Sequence, residues 1–433
     1  MATTVLPAIR ADLGGLSLYG WALAASSFGA FGAIPIGGRA VDRFGPRPPL
    51  ATLLTMFGAG LLVATFAPSM LVVAAGRFLQ GVATGGRYAV SLGAVAKTYP
   101  ERLRPRVLAL LASMWILPGL FGPPLGALTA TAVGWRWVFV APAPILAVAA
   151  WLVLPVLPGA RRGDGPRLPV RWPLQLTLGA GLFLSGLTTP SPASIGLCPA
   201  GIALALPALA RIVPKGTFRA RPGIPAAAAS AFLLSASFFA VDGFVPLMLT
   251  GVRGLSVAAG VVLATATVAW SVGSWWQSRS AETWTATSLV ATGAAVIAVG
   301  TAGVASGLVG LPIAITYAGW TVAGIGMGIA FPTIPRTVMG TTADGAEARQ
   351  LSSSLLMDTL GVAMGASLGG ASVALAGNAG AGLRTGLAGA FLLGLVCAVL
   401  VLPISRRLPH LPSGQPHEPA EVRSPGQPSG DAT

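Results

Sequence analysis

Residues 38–48 read Gly-Arg-Ala-Val-Asp-Arg-Phe-Gly-Pro-Arg-Pro and stand between two apolar runs, Trp21–Gly37 and Leu50–Phe66. Each run is close to the ~20 residues that a helix needs to cross the ~30 Å hydrocarbon core of a bilayer. The segment between them is too short to be a domain and too charged to enter lipid. It reads as a turn at the membrane surface whose charges have a specific task.

Apolar spans recur outward from this turn, at 19–40, 49–66, 70–96, 107–132, 137–156, 173–190, 194–213, 225–250, 255–277, 284–307, 310–335, 350–376 and 384–404. The chain is 54% hydrophobic and 9% charged, with a mean hydropathy of +0.77. A soluble domain carries about 25% charged residues. The class expected is therefore all-α and polytopic in the membrane. A spanning barrel is excluded because its strands would alternate apolar and polar residues, and these runs do not.

The net charge of +15 invites a nucleic-acid reading, which the placement of the charges excludes. Arg10, Arg136, Arg253 and Arg384 fall in one alternating set of loops, and Arg77 and Arg87 fall inside a span. The remainder of the 27 Lys and Arg lie in the other set of loops and the tail. That asymmetry orients the basic loops toward the cytoplasm. Trp135, Trp137, Trp172 and Trp284 sit at span ends, where interfacial aromatics collect. Both Cys, Cys198 and Cys397, fall in spans, and both His, His410 and His417, in the tail. No metal or cofactor is expected, and no enzymatic centre. The absence of a Gly-x-x-x-x-Gly-Lys-Ser/Thr loop argues against ATP-driven work. The Pro-, Gly- and Ser-rich tail at 409–433 reads as disordered.

The turn resembles the loop between helices two and three of the major facilitator superfamily, Gly-x-Leu-x-Asp-Arg-x-Gly-Arg-Arg/Lys. Gly38, Asp42, Arg43, Gly45 and Arg47 match, while Ala40 and Pro46 depart from the pattern. Gly76-Arg77-Phe78-Leu79-Gln80-Gly81 resembles the family's fourth-helix motif, and Gly119-x-x-Gly122-Pro123-x-x-Gly126 that of the fifth helix in its antiporters, with Ala127 where a second Gly is usual. Gly76, Gly81 and Gly85 share their five-and-four spacing with Gly319, Gly324 and Gly328. This spacing suggests parallel halves. The resemblance implies the same, because the two halves of this superfamily's transporters are parallel repeats about an axis along the membrane normal.

The resemblance implies two six-helix bundles, 1–156 and 225–408, with two extra helices in 157–224, as in the fourteen-helix drug:proton antiporters. Leu6–Gly15 resembles the outer end of the family's first helix, so the sequence reads as starting midway through it. The implied function is proton-coupled export of small amphipathic compounds from a bacterial cytoplasmic membrane by a monomer, with no nucleic-acid partner. A dedicated exporter of one endogenous metabolite, or a non-transporting remnant or sensor, are the alternatives.

An ionisable residue inside a span is a functional candidate by default. Asp242 and Arg77, each about 10 Å below the outer surface, are the expected proton-coupling residues. Arg87 and Asp358 form a second expected pair nearer the cytoplasm. Asp42 is expected to latch onto the N-terminus of the helix starting near Leu351, with Arg43 and Arg47 competing for it or binding anionic headgroups. Trp115, Phe239, Trp270, Tyr317 and Trp320 are candidates for an apolar, cation-friendly substrate cavity.

Overall fold

A computed structural model describes residues 2–98, 116–157, 170–188, 193–255, 258–280, 283–340 and 347–409. Among the described residues the chain is helical and contains no strand. The helices are α1 (Ala2–Leu13), α2 (Tyr19–Phe44), α3 (Arg47–Thr65), α4 (Met70–Thr98), α5 (Ile116–Ala132), α6 (Arg136–Val140), α7 (Pro142–Val153), α8 (Arg171–Thr188) and α9 (Ala193–Ile212). They continue as α10 (Ile224–Asp242), α11 (Val245–Gly251), α12 (Ala258–Ser280), α13 (Ala286–Ala305), α14 (Ile313–Ala330), α15 (Thr333–Gly340), α16 (Glu347–Asn378) and α17 (Gly382–Ser405). Seven helical stretches among the described residues are long and apolar enough to cross a membrane, so the chain is a multi-pass membrane protein. Below, the end bearing the basic loops is called inner and the opposite end outer.

The segment 38–48 differs from the expected loop. α2 runs through Gly38 to Phe44, so Asp42 and Arg43 lie on its last turns. The chain reverses only at Gly45, whose φ of 74° lies in the left-handed region that favours Gly. Pro46 then precedes α3, and Pro48 and Pro49 fall in its first turn, where their missing N–H groups leave no intrahelical bond unmade. Polar residues do not end a helix that is leaving the bilayer; a backbone that cannot continue does. The expected single span at 225–250 is found as one apolar stretch, Ile224–Gly251, although its helix breaks at Gly243 between α10 and α11.

The repeated glycines make the same contacts in both halves. Gly76 of α4 packs against Gly60 and Ala64 of α3, and its counterpart Gly319 of α14 packs against Gly300 and Gly303 of α13. Gly81 and Gly85 lie on Ser26 and Ala30 of α2, and Gly324 and Gly328 lie on Ala266 and Trp270 of α12. A Cβ at any of these positions would overlap the facing backbone. α4 and α14 are thus equivalent central helices, each pressed between two partners. α8 and α9 pack on each other, with Gly179 against Ala205 and Gly201 against Phe183. α8 reaches α2 where the Thr177 hydroxyl oxygen lies 3.5 Å from the Phe28 carbonyl.

Gly81→Val and Gly324→Val should each lower thermal stability by an amount corresponding to at least about 1–3 kcal/mol, the cost of overpacking. Gly58→Ala on α3, where a Cβ meets only Leu146 at 3.6 Å, should be neutral or stabilising by up to about 1 kcal/mol. Melting of the purified variants in detergent checks both directions.

Candidate functional site

The two halves meet where α2 packs on α16 and α5 on α12. At the outer end this interface is closed. Tyr19 and Phe244, both fully buried, hold their rings 5.8 Å apart, and the Tyr19 hydroxyl donates to the Gly243 carbonyl at 3.3 Å. Gly20 and Gly370 bring the backbones of α2 and α16 into direct contact. Leu23 packs on Gly243, and Phe244 packs on Gly369. The absence of Cβ atoms lets four helices converge on one apolar plug.

Outside the plug, the Asp12 carboxylate accepts from Trp135 Nε1 at 3.0 Å and from Arg136 Nη1 at 2.9 Å, with the guanidinium 4.2 Å from the Trp135 ring centroid. The ion-paired side chains are 45% and 49% exposed, so solvent screens the pair and it adds little to stability.

Asp242 ends α10 immediately beneath the plug, adjacent to the carbonyl that Tyr19 holds. It is partly accessible and makes no hydrogen bond or ion pair among the described residues. Tyr19 is within electrostatic reach of both Asp242 and Arg10. Phe238 and Ser235 precede Asp242 by four and seven residues, so all three share one face of α10. Phe238 stacks on Trp320 at 4.6 Å and meets Trp270 edge-on at 5.5 Å. Phe239 lies 5.5 Å from Phe238, and Trp270 lies 5.7 Å from Phe331. Two turns below Asp242, the Ser235 hydroxyl donates a short hydrogen bond to Asp358 Oδ1 of α16. At ~1.5 Å per residue the Asp242 and Ser235–Asp358 levels are about 10 Å apart along the membrane normal.

Several expected groupings are corrected by this geometry. Arg77 is not paired with Asp242: its Nη2 donates to Ser26 Oγ at 3.2 Å and its Nε to the Ala22 carbonyl at 3.4 Å. The close approach of α4 to α2 at Gly81 places acceptors beside the guanidinium within its own half. Arg87 is not the partner of Asp358. Ser235 takes that place, and on α4 the next residue, Tyr88, is the one within electrostatic reach of Asp358.

Trp320 is fully buried against Phe238 rather than open to a cavity, and its indole N–H has no partner among the described residues. Phe239, Trp270 and Tyr317 are partly accessible. Trp115 and the side chain of Asp42 lie outside the described residues. Gly119, Gly122, Pro123 and Gly126 all fall in α5, with Gly122 and Gly126 buried in the helix that packs on α12. Tyr19, Tyr88 and Ser235 are not singled out by sequence, although the spacing of Ser235 from Asp242 marks it as a neighbour on one face; Phe238 and Phe244 stand out there only as aromatics flanking Asp242.

The profile of the Major Facilitator Superfamily matches residues 1–344. Over 439 aligned positions, covering 94% of this chain and 92% of the relative, the sequence is 29% identical to a Mycobacterium tuberculosis protein named "Probable multidrug-efflux transporter". A Mycobacteroides abscessus "Triacylglyceride transporter" is 31% identical over 38% of this chain and 32% of its own length. Among solved structures, the partially occluded, inward-open xylose transporter XylE from E. coli superposes with a TM-score of 0.66 at 13% identity, covering 96% of this chain and 94% of that one. An auto-inhibited peptide transporter of the POT family gives 0.65 at 15% identity, covering 93% and 92%. A matching family profile over most of the chain, the signature turn at Gly38–Arg47 and two halves with equivalent glycine contacts lead to one conclusion: the chain belongs to the major facilitator superfamily.

Proposed function

We propose that this protein exports small amphipathic compounds across a bacterial cytoplasmic membrane in exchange for protons, by alternating access between the bundles 1–156 and 225–408. The observation that carries this reading is Asp242, a carboxylate with no partner among the described residues. It lies directly beneath a closed apolar plug and shares one face of α10 with Phe238 of the aromatic cluster and with Ser235, which donates to a second acid, Asp358 of α16. The name of the mycobacterial relative supports efflux as the direction.

Each group has a role in this scheme. When the plug opens, Asp242 faces the outer solution and takes up a proton. The aromatic faces of Phe238, Phe239 and Trp270 offer apolar contact and attraction for a cationic group. Asp358, held by Ser235, lies toward the cytoplasm and hands the proton on. Arg77 acts as a fixed positive charge beside α2 rather than as a titrating partner. Asp42, on the last turns of α2 at the inner end, serves as the latch in this scheme by interacting with a facing helix N-terminus.

In proteoliposomes with an imposed pH gradient, wild-type protein should drive ethidium transport that collapses when the gradient is dissipated. Asp242→Asn should reduce gradient-driven transport to the level of empty vesicles while the folded protein still binds ethidium. Gradient-responsive transport by that variant would remove Asp242 from the coupling mechanism.

Asp42→Asn should shift the balance of inner-open and inner-closed forms about two- to fivefold, from an interaction of about 0.3–1 kcal/mol. The substrate profile should be unchanged. Thiol labelling of reporter cysteines at the inner end reads this shift.

A further inference from the structure

A cavity of about 460 Å³ lies away from the interface between the halves, enclosed by α2, α3, α4 and α8. Its volume is within the ~300–1,000 Å³ range of ligand pockets. It follows α2 from Phe28 to Phe44, a length of about 24 Å at ~1.5 Å per residue. That is close to one leaflet with its headgroup layer, about 20–22 Å. Gly32 creates the space: a Cβ there would meet only Thr177 Oγ1 of α8, at 3.8 Å. Leu53, Met56, Phe78 and Leu174 supply apolar walls. The two hydroxyls in the lining are tied back to their own helices, Thr52 to the Pro48 carbonyl at 3.1 Å and Thr177 to the Pro173 carbonyl at 3.0 Å. They leave no polar demand on an occupant.

The inner mouth is basic. Arg43 and Arg47 flank Phe44, Pro48 and Pro49, which line the cavity. At the inner end of α8, Arg171 and Arg211 hold their guanidinium groups 4.4 and 5.1 Å from the Trp172 ring centroid, two residues before the lining residue Leu174. Arg43 lies 5.4 Å from the Phe44 ring centroid. None of these four arginines has an acidic partner among the described residues. An apolar slot one leaflet long, ending at exposed cations at headgroup level, matches an anionic amphiphile with its charge at the inner surface.

We propose that this cavity binds an anionic phospholipid of the inner leaflet, one acyl chain lying along Gly32 between α2 and α8 and the phosphate resting between the α2–α3 turn and the Arg171–Arg211 pair. The site is separate from Asp242 and Asp358, and it adjoins Asp42 at the α2–α3 turn. It gives the helix pair α8–α9 a lipid-mediated attachment to α2 beyond its few direct contacts.

Native mass spectrometry of the delipidated full chain tests this, with titration by phosphatidylglycerol and by phosphatidylcholine of the same acyl chains. One phosphatidylglycerol should bind at least about tenfold more tightly than phosphatidylcholine. The Arg171→Gln, Arg211→Gln double variant should reduce phosphatidylglycerol to about the level of phosphatidylcholine. Gly32→Phe, whose ring fills the cavity, should abolish tight binding of both lipids with thermal stability retained; Met56→Trp fills it from α3 should Gly32→Phe fail to fold. Equal affinity for the two headgroups would overturn the proposal. So would undiminished phosphatidylglycerol binding by the filled variants, which would reduce the site to a surface charge patch. Displacement of the bound lipid by ethidium one for one would make the cavity a substrate site and overturn it as well.

Discussion

Lipid tails are as apolar as leucine, so helices inside a bilayer gain little by burying apolar side chains against one another. What holds them is close backbone approach, van der Waals contact and hydrogen bonding. This chain meets that constraint with glycine. Gly76, Gly81 and Gly85 press α4 onto α3 and α2, and Gly319, Gly324 and Gly328 press α14 onto α13 and α12. Gly361 and Gly365 do the same for α16 against Phe232 and Ala236 of α10. The outer plug uses the same device between the halves, at Gly20 and Gly370. Contacts that rest on small residues and little directional bonding suit an interface that must open as well as close.

Within that frame the few polar groups become decisive. Arg77 satisfies itself on α2, and Asp358 on Ser235. Asp242 has no such partner among the described residues, and its nearest fixed feature is the plug formed by Tyr19, Gly243 and Phe244. Closing an apolar plug over a charged carboxylate costs more than closing it over a neutral one. The charge state of Asp242 and the closure of the outer end are therefore linked in the proposed cycle, with no relay required between them.

The class of fold is legible in the sequence wherever it rests on local rules. Low charge and long apolar runs impose helices, and the glycine spacing announces two equivalent halves ahead of any knowledge of their contacts. Asp242 stands out because an acid in an apolar helix is expensive. The partners of the ionisable residues are not legible. They depend on how the helices are rotated against one another, and Asp358 bonds Ser235 of α10 rather than Arg87 of α4. The cavity beside α2 is invisible for a related reason: it consists of the side chain that Gly32 lacks and the arrival of α8 from well over a hundred residues away. The segment 38–48 is a membrane-surface element, as its charges indicate, but it is not a loop throughout, since helix propagation ends only at Gly45 and not at its first charged residues.

The linkage between Asp242 and the outer plug is tested most directly by the distance between spin labels on the outer ends of α2 and α16, measured by pulsed electron resonance at a series of pH values. The account predicts a short distance in acid that lengthens as the pH rises in the wild-type protein. In Asp242→Asn it predicts a short distance at every pH. A wild-type distance that ignores pH, or an Asp242→Asn variant that still follows it, would contradict the account.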